Sequence, residues 1–98
     1  MISNTKVVEC FIQHKYAQSR NLRSTGVKLY SYDTCIAQWY AKDGIIINKT
    51  KYSQTTSKHQ YLLNYLLQDV DNITIVEVND IPKDEISLYA YTNLCKII

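Results

Sequence analysis

Ninety-eight residues, 46% of them hydrophobic, suffice for one domain over 1–98 with its own core, and are too few for two. Two Gly and one Pro argue against a linker or low-complexity tail, and no apolar run approaches the roughly 18 residues of a membrane span. The net charge is only +2, from eleven Lys/Arg against nine Asp/Glu.

The first residues, Met1 to Lys6, lack the charged region and apolar core of a signal peptide, so a cytoplasmic chain is expected. Three widely spaced cysteines, Cys10, Cys35 and Cys95, form no CxxC pair and read as buried free thiols in a reducing compartment. Lys6-Val7-Val8-Glu9-Cys10-Phe11-Ile12 is β-branched and aromatic and predicts a strand. Residues 13–26 are polar, carry His14, Lys15, Arg20 and Arg23, end on Gly26, and predict a long loop.

Val27 to Tyr32 alternates with period two, Val27, Leu29 and Ser31 on one face and Lys28, Tyr30 and Tyr32 on the other. Cys35 to Tyr40 and Ile45 to Asn48 predict two further strands, joined by the hairpin signal Asp43-Gly44. The simplest topology for 27–48 is an antiparallel meander. Ser57-x-x-Gln60 fits a capping box, and His59, Leu62, Leu63, Leu66 and Val70 fall on one stripe of a helix over about 57–69. Asp71-Asn72 ends it. Ile73 to Val78 predicts a strand with Ile73 and Ile75 inward, and residues 84–95 fit a second, C-terminal helix better than a strand. The expected fold is α+β: a mainly antiparallel sheet of about four to five strands with one principal helix on one face.

Charge is uneven along the chain. Residues 1–60 hold nine Lys/Arg against three Asp/Glu, and residues 61–98 hold two against six. Such a split suits a polyanion-facing side or a self-complementary homodimer, and folding can also interleave the halves and erase it.

No Walker A, GxGxxG, GxSxG or HExxH motif occurs, and the cysteines do not bracket the two histidines. The chain therefore reads as a non-enzyme without a metal or other cofactor. Two candidate surfaces remain. Tyr52, Ser53, Thr55, Thr56, Ser57, Lys58 and His59 place hydroxyls and a cation at a helix start, where unpaired N–H groups and the dipole favour an anion such as a phosphate. The same Ser and Thr also serve as plain helix caps. His14, Lys15, Tyr16, Arg20 and Arg23 interleave cations with aromatics, a pattern that can track a nucleic-acid backbone, with exposed Tyr30, Tyr32, Trp39 and Tyr40 extending it, or simply be a solvated loop beside ordinary sheet tyrosines.

Two segments, Ser31, Tyr32, Thr34, Ile36 and Ala37, then Tyr52, Ser53, Thr55, Thr56, Ser57, His59 and Gln60, resemble a pattern of small phage-encoded proteins: a Ser-Tyr-x-Thr-x-Ile-Ala strand, followed by Tyr-Ser-x-Thr-Thr-Ser-x-His-Gln opening a helix. The resemblance implies a viral accessory protein in the bacterial cytoplasm and implies no reaction. It points to binding, with an anti-CRISPR or other anti-defence role as the leading expectation. The partner would be a host or effector protein complex, with or without its nucleic acid, and no membrane. Inhibitors that imitate DNA carry dense negative charge; this chain does not. The alternatives are a small nucleic-acid-binding protein and a nucleotide- or signal-binding protein.

Overall fold

The computed structural model describes residues 2–85 and 87–92. Its elements run α1 (Asn4–Ile12), β1 (Tyr16–Gln18), β2 (Leu22–Thr25), β3 (Lys28–Ser31), β4 (Thr34–Ala41), β5 (Gly44–Asn48), α2 (Gln54–Leu67) and β6 (Thr74–Val78), then a single 3₁₀ turn at Tyr89–Tyr91. The α+β class holds, with six strands rather than four or five and a second helix at the N-terminal end rather than the C-terminal one.

Residues 4–12 form a helix, not the expected strand. Ser3 caps it by accepting from the Lys6 amide at 3.1 Å, and Val7, Val8 and Phe11 bury one stripe. The β-branched run is apolar on one helical face, and burial of that face outweighs the strand propensity of Val. Trp39 Nε1 donates to the Phe11 carbonyl at 2.9 Å, an oxygen at the helix end that also accepts from the His14 amide at 3.0 Å.

The expected loop at 13–26 is a hairpin. β1 pairs antiparallel with β2, Tyr16 opposite Thr25 and Gln18 opposite Arg23. Its inward residues include Ala17 and Leu22 but also Ser19 and Ser24. The polar pair is admitted because each hydroxyl is bonded: Ser24 Oγ donates to the Lys15 carbonyl at 2.7 Å, and Ser19 Oγ accepts from the Leu22 amide. Gly26, in the turn from β2 to β3, holds φ +93, and an added Cβ there would lie 3.0 Å from the His14 carbonyl oxygen.

β3, β4 and β5 form the expected antiparallel meander. A register shift between Leu29 and Tyr30 lets consecutive Ile36 and Ala37 join one core cluster. Leu29 and Ser31 are buried as expected, while Val27, before the strand, is half exposed. β6 pairs parallel with β5, and α2 is the crossover that this pairing requires. Val76 and Val78 pack inward on β6; Ile75 stands beside Ile45 at the sheet margin and is 46% exposed, against the expectation.

The sheet is covered on both faces. α1 and α2 cover one, where Val7, Phe11, Leu29, Trp39, Ile45 and Leu63 share a cluster. Each fully buried large side chain contributes about 1.5–3 kcal/mol. Residues 81–85 and 87–92 cover the other, with Ile81 and Leu88 against Cys35 and Ile46. The C-terminal helix expected over 84–95 is absent from 84–85 and 87–92 apart from the 3₁₀ turn; the remainder of that range, with Cys95, lies outside the described residues.

Candidate functional site

The β3–β4 turn and the start of α2 face each other. Ser31 pairs with Thr34, which leaves Tyr32 and Asp33 as a two-residue turn. Tyr32 sits at φ +55. That conformation favours Gly, Asn or Asp, and a bulky side chain there costs on the order of 1–3 kcal/mol.

α2 begins earlier than the capping box suggested. Its cap is Ser53, whose hydroxyl accepts from the Thr56 amide at 3.2 Å. Ser57 lies inside the first turn. Gln60 does not reach back to it; its Nε2 donates to the Asn48 and Thr50 carbonyls, pinning α2 to the exit from β5.

The buried polar side chains between turn and helix form one network. Ser31 Oγ lies 3.1 Å from Thr56 Oγ1 and 2.6 Å from His59 Nδ1. His59 Nε2 lies 3.4 Å from Asn4 Nδ2. An amide nitrogen can only donate, so Nε2 is the acceptor and the ring proton sits on Nδ1. Nδ1–H then donates to Ser31, and the Ser31 hydroxyl is free to donate to Thr56. Ser19 Oγ donates to Asn4 Oδ1, which extends the network to the β1–β2 turn. His59 is 4% exposed, and burial lowers its pKa. It is a neutral structural histidine.

Above this network lies a cleft of about 470 Å³ lined by Tyr32, Thr34, Tyr52, Ser53, Thr55, Thr56 and Lys83. The Tyr52 hydroxyl donates to the Ile81 carbonyl at 2.7 Å and accepts from Asn48 Nδ2 at 2.9 Å. That clasp holds the C-terminal segment where Lys83 reaches the rim. Tyr32 is shared with a second cleft of about 270 Å³ that holds Arg20, Arg23 and Asp33. On the other side, Tyr52 and Ser53 are shared with a cleft of about 550 Å³ that adds Lys51 and Lys58. Lys51 and Ser57 in turn border one of about 310 Å³ that adds Lys49. The four adjoining clefts carry six cationic side chains and one acid, Asp33.

The structure thus gathers the helix-start residues Tyr52, Ser53, Thr55, Thr56, Ser57 and Lys58 on one line and puts His59 beneath it. It divides the other predicted group. Arg20 and Arg23 join the line, with the Arg23 guanidinium 4.5 Å over the Tyr30 ring. His14, Lys15 and Tyr16 lie at the opposite end of the hairpin. The His14 ring packs on Trp39 at 4.2 Å and its Nε2 bonds the Lys42 carbonyl, while Tyr16 bonds Gln18. Of the tyrosines and tryptophan expected to extend the basic surface, Tyr32 joins the clefts, whereas Trp39 is buried and Tyr30 and Tyr40 are half-buried. Thr34 and Lys83 were not among the expected site residues. The Ser31 to Ala37 motif was the signal for Thr34; nothing local marks Lys83, which sits in the acidic half. That half also reaches back at Lys49, whose ammonium lies 3.3 Å from Glu77, so the halves do interleave.

The two described cysteines lie off this line. Cys10 is half-buried, and Cys35 is buried on the opposite sheet face. Burial pushes the Cys35 thiol up to about 11, which leaves it protonated.

A family model matches residues 4–87, from the first residue of α1 past the whole sheet. The chain belongs to DUF8033, a family of unknown function. The match takes in both faces of the sheet and every residue of the four clefts. No curated protein and no solved structure matches the chain. No helix among the described residues is long and apolar enough to cross a membrane.

Proposed function

We propose that this chain is a non-enzymatic accessory protein of phage type that acts by binding, and that it engages the nucleic acid carried by a host defence complex of the CRISPR-nuclease kind. One observation carries the reading: the two sequence motifs converge on a single line of clefts lined by six cations and one acid, Asp33, with Lys49 alone of the six in a salt bridge among the described residues, to Glu77. A phosphate backbone is the partner that such a surface complements best. The Thr55 hydroxyl adds a hydrogen-bond donor beside the cations, of the kind phosphate contacts use. The phage and defence setting rests on the sequence resemblance alone.

The test is capture from a host lysate, with and without nuclease treatment, together with titration of labelled oligonucleotides at several salt concentrations. A co-purifying complex whose retention falls after nuclease treatment is expected, with oligonucleotide affinity falling linearly on a log–log salt plot. Arg20→Ala and Arg23→Ala should each lower that slope by roughly 0.7–0.9. Salt-independent or absent oligonucleotide binding rejects the reading.

A second reading follows from the size of the central cleft. About 470 Å³ falls within the range of small-molecule sites. A nucleotide or signal phosphate there would raise the melting temperature, and Lys83→Ala would abolish the rise. Melting curves unshifted by nucleotides dismiss it.

A further inference from the structure

We infer that Tyr32 is the base-stacking residue of the cationic face, and hence that the nucleic acid is single-stranded. The inference rests on the nucleic-acid reading above and adds the form of the strand and the residue that reads it.

Three independent observations meet at this side chain. The first is its backbone. Tyr32 holds φ +55 in a two-residue turn where Asn or Gly would be unstrained. The backbone conformation itself favours those smaller residues over a tyrosine. The second is its location. It is 50% exposed and forms the shared wall between the cleft of Arg20 and Arg23 and the cleft of Ser53, Thr55 and Lys83. A base laid on the ring would have its phosphates directed into cation-bearing clefts on either side. The third is its support. The Tyr32 ring stands 6.3 Å from the His59 ring, inclined at 41°, and Ser31 and Asn4 fix that imidazole from both ring nitrogens. The aromatic is thus propped from within and open without, which lowers the ordering cost of binding. Base–aromatic stacking accepts any base, because each has a π-face, but it needs a base outside a duplex stack.

The experiment measures fluorescence anisotropy of a labelled 12-nucleotide single strand, as DNA and as RNA, and of the same sequence as a duplex. The proteins are the wild type, Tyr32→Phe and Tyr32→Asn. Asparagine suits the left-handed turn, so Tyr32→Asn should melt at or above the wild-type temperature, which keeps a folding defect out of the comparison. Tyr32→Phe is expected to bind the single strand within about twofold of wild type, since the ring and not the hydroxyl does the stacking. Tyr32→Asn should bind it roughly 5- to 150-fold more weakly with an unchanged salt slope. The wild type should prefer the single strand to the duplex. Equal affinity of Tyr32→Asn and wild type overturns the inference, as does a preference for duplex or a loss in Tyr32→Phe as large as in Tyr32→Asn. If salt-dependent binding persists in any of those cases, the nucleic-acid reading stands without Tyr32. If the wild type binds no oligonucleotide, both fall.

Discussion

At the scale of single residues, the unusual feature is how much of the helix-start motif the fold itself consumes. Ser53 caps α2, Thr56 and Ser31 satisfy each other, Tyr52 clasps the C-terminal segment, and Gln60 ties down the exit from β5. His59 belongs to the same set, and its titration is a test. An ordinary histidine has a pKa of about 6.5, and burial lowers that of His59. Below 6.5 the unfolded chain therefore takes up a proton that the folded one resists. The stability that the neutral ring contributes is intact above 6.5 and is lost as pH falls from there through the folded-state value. Protonation would also set a second N–H, on Nε2, against the Asn4 amide nitrogen. The melting temperature of the wild type should drop between pH 7.5 and 5.5. His59→Gln, less stable at pH 7.5, should show a shallower drop. Parallel pH profiles for the two proteins would remove His59 as the titrating group.

At the scale of elements, the meander was legible because β3, β4 and β5 alternate or run apolar between clear turn residues, Asp43-Gly44 above all. α1 was not, because its apolar residues are β-branched or aromatic; the spacing that betrays the helix is Val7 with Phe11 and Val8 with Ile12, each four apart. The β1–β2 hairpin hid behind inward serines, whose partners, backbone groups and the Asn4 side chain, no residue pattern announces. β6 misled through Ile75, which lies beside the buried Ile45 of β5 yet is 46% exposed on the last strand of the sheet. Of the candidate site, the helix-start group was legible from its residue types, whereas joining it to Arg20, Arg23 and Lys83 required the sheet order. The start of α2 offers a direct comparison between a motif and a geometry. Ser53 accepts from the Thr56 amide and Ser57 lies within the helix. Ser53→Ala should therefore destabilise the protein by about 1 kcal/mol, and Ser57→Ala by no more than about 0.5 kcal/mol, in urea unfolding. The reverse order would return the cap to Ser57.

At the scale of the whole molecule, the sheet is a partition with different duties on its two sides. The helix side supplies the larger core and, at its margin, the line of cationic clefts. The other side is sealed by a segment with little regular structure, held by the Tyr52 clasp, by Leu88 N–H donating to Gln38 Oε1 at 2.8 Å, and by the burial of Ile81 and Leu88. A cover whose described residues form no strand of the sheet should open on its own more readily than the helices do. Cys35 reports such opening, because it is 1% exposed and lies directly beneath the segment. In a chain carrying Cys10→Ser and Cys95→Ser, alkylation of Cys35 at pH 8 should be slow, limited by both the cover and the raised thiol pKa. Leu88→Ala removes a fully buried side chain from the cover, at a cost of about 2–5 kcal/mol. If that cost falls on local opening, alkylation accelerates by roughly 30-fold or more while far-UV dichroism stays helical. An unchanged alkylation rate in a folded Leu88→Ala protein would mean that Cys35 is reached only by global unfolding. The sheet and its C-terminal cover would then be one cooperative unit, and Lys83 as firmly placed as the helix it faces.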